Sequence, residues 1–213
     1  MENRKIVLIT GITGQDGSYL TELLLGKEYT VHGIVRRTSN LLRSRIEHLR
    51  RDDQIYGKKL FLHYGDLSDT TTLRRIFREV QPAEVYHLAG QSHVGLSFEL
   101  PESTCDEAGM ATLRLLEIVR DQAPDVRFYH ASTSEIFGNA SESPQWEETP
   151  MHPTSPYGCA KAFATQLARA EMPRLLARTD RSMGGFGAFS TNARDRLNWR
   201  VSIPLQRRTS LKH

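Results

Sequence analysis

Tyr157 and Lys161, in the run Tyr157-Gly158-Cys159-Ala160-Lys161, are the side chains of this 213-residue chain best suited by type and spacing to do chemistry. A spacing of four puts both on one face of a helix. An ammonium there can draw a phenol down from its usual pKa of about 10, which makes tyrosine a usable base. Thr133 stands 24 residues before Tyr157, in Ala131-Ser132-Thr133-Ser134-Glu135. That run brings two further hydroxyls and a carboxylate, so Thr133, Ser134, Glu135, Tyr157 and Lys161 form the candidate catalytic set.

A second group reads as a nucleotide cradle. Gly11-Ile12-Thr13-Gly14-Gln15-Asp16-Gly17 has the form G-x-x-G-x-x-G between a first strand and a first helix. Glycine lets the backbone turn tightly and approach a pyrophosphate, which then sits at the positive end of the helix. Gly11, Thr13, Gly14, Gln15, Asp16 and Gly17 are the expected contacts. A group at the end of the second strand discriminates between NAD and NADP, because an acidic residue there binds a ribose 2′-hydroxyl. This chain has Arg36-Arg37 followed by Thr38 and Ser39. Guanidinium and hydroxyl donors suit a 2′-phosphate, so NADP is the expected cofactor. Asp66 and Leu67 are expected near the adenine, although Asp66 could instead cap the helix that begins near Asp69. Leu88, Ala89, Gln91 and Ser92 are expected along the ribose.

These residues need a frame, and hydrophobic periodicity supplies one. Lys5–Thr10, Thr30–Val35, Leu60–Tyr64, Glu84–Leu88 and Val126–Ala131 read as strands. Helical patterns follow them, marked by Leu20, Leu23 and Leu24, then by Leu73, Ile76, Phe77 and Val80, then by Leu115, Ile118 and Val119. The alternation predicts an α/β fold, a Rossmann-type doubly wound parallel sheet that is incomplete at its C-terminal side. Ligands bind beyond the carboxyl ends of such strands, where all the motifs above fall. Met172-Pro173 is expected to interrupt the helix after Tyr157, with Trp199–Ile203 the only later strand candidate. The expected organisation is an NADP-binding domain over 1–168 and a disordered basic tail over 169–213, with no substrate domain.

Charge follows the same division. Residues 1–168 carry 18 Lys+Arg against 22 Asp+Glu, whereas 169–213 carry 10 against 3, so the formal net charge of +3 arises in the tail. Such a tail could hold nucleic acid, but the remainder has no nucleic-acid footprint, and that partner is not expected. No apolar run reaches the roughly 20 residues of a membrane span, and a cytoplasmic protein is expected. Cys105 and Cys159 are expected to be packing residues without a disulfide or metal role. His87, His93 and His130 share no ligand spacing and are expected to be hydrogen-bonded cleft or core histidines, so no metal site is expected.

Six segments in register resemble one family: TGITGQDGSYL (10–20), VHGIVRRTS (31–39), HYGDLSD (63–69), AGQSHVGLSFELPE (89–102), ASTSEIFG (131–138) and ETP with PTSPYGCAK (148–161). Together they resemble GDP-mannose 4,6-dehydratases, extended members of the short-chain dehydrogenase/reductase superfamily. The resemblance implies GDP-mannose as substrate, retained NADP, and a homo-oligomer in the full-length family. It implies that Tyr157 takes the hexose 4-hydroxyl proton and that Glu135 takes the C5 proton as the 6-hydroxyl leaves, with Thr133 and Ser134 near the reacting oxygens. Related epimerases and reductases, which need no C5 base, are the alternative enzyme reading, and a non-catalytic cofactor-binding fragment is another. Family members are much longer, so weak or absent turnover is expected of this chain alone.

Overall fold

The computed structural model describes residues 5–37, 44–146 and 148–179, with side chains as far as 171. Thr38, Ser39, the Trp199–Ile203 strand candidate and most of the basic tail lie outside the described residues.

Five parallel strands form one sheet: β1 (Ile6–Thr10), β2 (Thr30–Val35), β3 (Leu60–Tyr64), β4 (Glu84–His87) and β5 (Arg127–His130). Their order is β3-β2-β1-β4-β5. The chain thus works outward from β1 to β3, then crosses back to β4 on the other side of β1. The reversal between β1 and β4 opens a crevice at the carboxyl ends, the usual ligand position in such sheets. Pairing sets Thr10 beside His87 and His87 beside His130 at that end.

The helices are α1 (Gln15–Gly26), α2 (Glu47–Arg50), α3 (Thr70–Val80), α4 (Leu96–Glu99), α5 (Pro101–Cys105), α6 (Ala111–Gln122) and α7 (Pro156–Thr179). A π-helical turn over Asp106–Met110 joins α5 to α6, and a 3-10 turn spans Ser134–Ile136. Both faces of β1 are covered, as its uninterrupted apolar run requires. On one face Leu8, Ile34, Val85 and Phe128 meet Leu73, Ile76, Phe77 and Val80 of α3 and Leu115, Leu116, Ile118 and Val119 of α6. On the other, Val7, Ile9, Val31, Val35 and Leu60 meet Leu24 and Leu25 of α1 with Ile46 and Leu49. Each such side chain, fully buried, contributes about 1.5–3 kcal/mol.

Several local expectations need correction. Leu23 is exposed and Leu25 takes its place in the core, because the buried stripe of α1 includes Gly17, Ser18 and Thr21 and is rotated from the one the leucines suggest. Cys105 and Cys159 are exposed, not packed, because they occupy the outer faces of α5 and α7. Asp66 does not cap α3. Asp69 does, accepting a bond from Thr72 N at 3.0 Å, while Asp66 binds the Ser68 backbone N–H and hydroxyl at 2.9 and 2.7 Å. Finally, α7 is not interrupted at Met172-Pro173 and continues to Thr179. An internal proline removes one backbone hydrogen bond, and here the helix extends across that gap.

Candidate active site

The glycine run is a tight connection between β1 and α1. Gly11 has a φ of 76°, a left-handed conformation that only glycine adopts at little cost. Gly14 N donates to Gly11 O at 2.9 Å, closing the turn, and Gly14 stands as the N-cap of α1 with no side chain bonded to the first amides. Uncapped amides at the positive end of a helix are suited to an anion. Added side-chain atoms would fill the cradle: a Cβ on Gly11 would sit 2.8 Å from Ala89 N, and one on Gly17 would sit 2.8 Å from Ile12 Cα. The residues present therefore fit a pyrophosphate. Thr13 is half-buried, and Gln15 and Asp16 are exposed at the mouth.

Around this turn, Arg36 and Arg37 are exposed just past β2, and Arg36 Nη1 lies 3.8 Å from Glu107 Oε1. Arg36 also helps hold the Asp66 carboxyl below its usual range, after the two Ser68 hydrogen bonds. Leu67 and Leu88 pack against opposite core layers. Ala89 N donates to Thr10 Oγ1 at 3.2 Å. The Gln91 amide donates to His93 O at 3.0 Å and reaches Thr104 Oγ1 at 3.4 Å, while Ser92 is exposed.

The second group assembles on α7. Ser155 initiates this helix by accepting Gly158 N at 3.0 Å through its hydroxyl, with Pro156 at the first helical position, an arrangement that favours initiation. Tyr157 then lies buried at the start of α7, near enough to Thr133 for that hydroxyl to lower its pKa. One turn further on, the buried Lys161 ammonium donates to Ala131 O at the end of β5. Thr165, another turn on, meets Ser132 Oγ at 2.8 Å. Residues 131–133 are thereby joined to three successive turns of one helix. Glu135 N donates to Thr133 Oγ1 at 3.3 Å, and the Glu135 side chain is half-buried while Ser134 is exposed.

Electrostatics differ from expectation at the tyrosine. Burial raises its pKa, the Thr133 hydrogen bond lowers it and Glu135 raises it; Lys161 is not among the causes. Lys161 is itself pushed down to about 8 by burial. Shared helix face is thus realised without a strong charge effect, because the ammonium turns toward the Ala131 carbonyl.

The histidines divide. His87 is hydrogen-bonded, with Nδ1 2.7 Å from Thr10 Oγ1 and Nε2 3.1 Å from Thr112 Oγ1. Exposed His93 accepts Leu96 N at 2.9 Å through Nδ1, ordering the entry to α4. His130 contradicts its expectation: both ring nitrogens are buried and without a hydrogen-bond partner among the described residues. Its neighbours are the His87 ring, 5.5 Å away between centroids, and the Lys161 charge. Among the described residues no group of three or more His, Cys, Asp or Glu side chains is placed to hold a metal ion. Likewise, no helix among them is long and apolar enough to cross a membrane.

Three positions in this region were not singled out by motif. Gly158 lies where a Cβ would be 2.7 Å from Glu135 O, so it lets the 133–136 turn press against α7. Ser155 sets the start of α7. Thr10 links β1 to the loop after β4. A serine before Pro156 is the one signal that could have been read as a helix cap; the other two depend on distant neighbours.

Comparison with known proteins bears directly on this arrangement. The family model for GDP-mannose 4,6 dehydratase matches residues 8–172. A GDP-mannose 4,6-dehydratase of Yersinia enterocolitica is 56% identical over 162 residues, covering 75% of this chain and 44% of that protein. The human GDP-mannose 4,6 dehydratase is 54% identical over 164 residues, covering 76% of this chain and 44% of the human protein. This chain therefore spans less than half the length of these curated relatives. Among solved structures, a UDP-Glc/GlcNAc 4-epimerase from Campylobacter jejuni shares the fold with a TM-score of 0.71 at 21% identity, over 79% of this chain and 49% of that one. A UDP-glucose 4-epimerase from Bifidobacterium longum, in complex with NAD+ and UDP, gives a TM-score of 0.67 at 30% identity, over 82% and 50%. With a family model matched over most of its residues, more than half identity to two such relatives, and a Rossmann sheet like that of the epimerases, the chain belongs to the GDP-mannose 4,6-dehydratase family.

Proposed function

We propose that this chain carries the NADP-binding and proton-transfer residues of a GDP-mannose 4,6-dehydratase, acting on GDP-mannose to give the 4-keto-6-deoxy sugar nucleotide. The observation that carries this reading is the attachment of the Ala131–Glu135 segment to α7 through Thr133–Tyr157, Lys161–Ala131 and Ser132–Thr165 contacts. They put a phenol, a carboxylate-bearing turn and an ammonium at one end of the sheet, across the switch point from the glycine turn.

Bound NADP would supply the acceptor and donor of two electrons for the sugar. Gly11, Gly14 and Gly17 give its pyrophosphate room against the first turn of α1, and Arg36 and Arg37 offer cationic donors for a 2′-phosphate. Several solved epimerases that share the fold are complexes with NAD, and the exposed arginines in place of an acidic residue are the reason to assign NADP here. Tyr157 takes the proton from the hexose 4-hydroxyl, with the Thr133 hydroxyl stabilising the phenolate oxygen by hydrogen bonding. The C4 hydrogen would leave as a hydride, held by bound NADP and later returned to C6, and the C4 ketone so formed acidifies the C5 proton. Glu135 removes that proton as the 6-hydroxyl departs, and Ser134 lies exposed beside it to bond the leaving oxygen. Lys161 holds positive charge beside this end of the sheet. A homo-oligomeric full-length enzyme and a cytoplasmic location belong to the same proposal.

Residues 1–166 joined to the C-terminal half of a relative provide the test. Tyr157→Phe is expected to reduce turnover by about 10²–10⁴-fold and to prevent reduction of the nicotinamide on mixing with GDP-mannose. Glu135→Gln is expected to allow that first reduction and stall before loss of water. Full turnover by Glu135→Gln would overturn the assignment of the C5 proton to Glu135.

A further inference from the structure

His87 lies at a junction that the proton-transfer scheme does not use. It is buried in β4, between Thr10 of β1 and Thr112 of α6. Thr10 Oγ1 accepts the Ala89 N–H, and Ala89 is the residue against which Gly11 packs. At the other side, the Thr112 hydroxyl donates to Ala108 O at 3.5 Å. Each hydroxyl has one proton. With the Thr112 proton given to Ala108, Thr112 would receive the His87 Nε2–H, which would leave Nδ1 bare to accept from Thr10. The bonds then run in one sense: Thr10 O–H to Nδ1, Nε2–H to Thr112, Thr112 O–H to Ala108 O.

We propose that His87 is a positioning residue for the dinucleotide turn, held as the neutral Nε2–H tautomer at the centre of this one-way chain, which ties the end of β1, the loop after β4 and helix α6 into one unit. The assignment of a function to the turn rests on the cofactor reading above; the tautomer and the coupling do not. An apolar side chain at position 87 would leave Thr10 free to rotate and weaken its hold on Ala89.

The surroundings keep His87 neutral. His130 of β5 brings a second imidazole to within 5.5 Å between ring centroids, and Lys161 of α7 brings an ammonium; Thr10 of β1 and Thr112 of α6 bring only uncharged hydroxyls. No carboxylate is among the groups that shift His87 or His130, so a proton on His87 would face the Lys161 charge in a buried site. Burial first and Lys161 second push its pKa down to about 3. Protonated Nδ1 could no longer accept from Thr10, so the chain of bonds is broken by charging.

Nitrogen-detected imidazole correlations on the 213-residue chain test the tautomer: His87 is expected to show a bare Nδ1 and a protonated Nε2, unchanged between about pH 7.5 and pH 5.5. A protonated Nδ1, or titration near 6.5, would overturn the proposal. Amide hydrogen exchange tests the coupling without cofactor. In His87→Leu and separately in Thr10→Val, Ala89 is expected to exchange on the order of tenfold faster, the worth of one hydrogen bond, with Val85 of the same strand unchanged. His87→Gln, which keeps an acceptor and a donor, is expected to restore most of the protection. Unchanged Ala89 exchange in Thr10→Val would overturn the coupling even where His87→Leu does not fold. Weakening of NADP binding by about tenfold in Thr10→Val extends the effect to the turn. Absence of NADP binding by the unaltered chain would fall on the cofactor reading, and the tautomer and Ala89 exchange would still decide the proposal.

Discussion

Two glycines of the same helix should respond in opposite ways to alanine. Gly17 and Gly26 both lie in α1, and helix propensity alone favours Gly→Ala by about 1 kcal/mol in a helix interior. Around Gly26, the last residue of α1, nothing lies within 4 Å of an added Cβ, so Gly26→Ala should keep about half of that gain, with a rise in melting temperature of about 1–2 °C. At Gly17 the added carbon would lie 2.8 Å from Ile12 Cα, 2.9 Å from the Gly11 carbonyl carbon and closer still to the Gly11 oxygen. Ordinary carbon contacts are about 3.5–4.0 Å, so the backbone of the turn must yield by roughly 1 Å. Overpacking of that kind costs about 1–3 kcal/mol, more than the propensity gain. Set against that gain, the net loss reaches about 2 kcal/mol and lowers the melting temperature by up to about 4–8 °C. Because the yielding atoms are those proposed to cradle the pyrophosphate, NADP affinity should fall at least about tenfold in Gly17→Ala and stay unchanged in Gly26→Ala. Calorimetric melts and titrations of the two variants measure both quantities. A Gly17→Ala protein as stable as the original and equal in NADP affinity would refute the close-packed turn.

Acidification should destabilise the fold through its histidines. His32 and His87 are pushed down to about 4 and about 3, chiefly by burial, and His63 and His130 are lowered for the same leading reason. The unfolded chain takes up protons near pH 6.5 that the folded chain refuses, so stability is complete above that pH and falls below it, by up to about 1.4 kcal/mol per pH unit for each group. The urea midpoint should therefore drop between pH 7.5 and pH 5; a flat profile would contradict the neutral histidines. Lys161 acts in the alkaline range. Its folded value of about 8 lies below the ordinary 10.5, so the unfolded chain holds a proton between those values that the folded chain has released, and stability rises with pH across that window. Lys161→Met should be the more stable protein at pH 7 and lose its advantage toward pH 10, as melting curves across that range would record.

Much of the frame was legible because it depends on local pattern. All five strands form within a residue of their expected limits, since short β-branched runs bounded by helical periods leave few alternatives. α3 buries the four residues its spacing named. The path from β4 to β5 was harder: Pro101 and the π-helical turn at Asp106–Met110 divide it into short helices, and neither periodicity nor capping residues specify such a break. α1 misled because its contact face is made partly of Gly17, Ser18 and Thr21, which carry no hydrophobic signal. At the site, the spacing of Tyr157 and Lys161 told which helix face they share but not where the ammonium turns. That direction depends on Ala131 O, 30 residues away in sequence. Thr10 and His87 are 77 apart and acquire meaning only when β1 and β4 pair. Gly158 is similar, an ordinary-looking helix residue until the Glu135 carbonyl stands against it.

The most direct test of the account is a pair of titrations, NADP and NAD into the 213-residue chain and into its Arg36→Asp variant. Arg36 stands exposed past β2 on the glycine-turn side of the sheet, where a guanidinium would meet a 2′-phosphate and a carboxylate would repel it. A charge-assisted hydrogen bond of this kind is worth about 1.5–3 kcal/mol, or roughly 10- to 100-fold in affinity. The unaltered chain is predicted to bind NADP tighter than NAD by that margin, and Arg36→Asp to erase or reverse the preference. Equal affinity for the two cofactors in the unaltered chain, or a preference that survives Arg36→Asp, would contradict it.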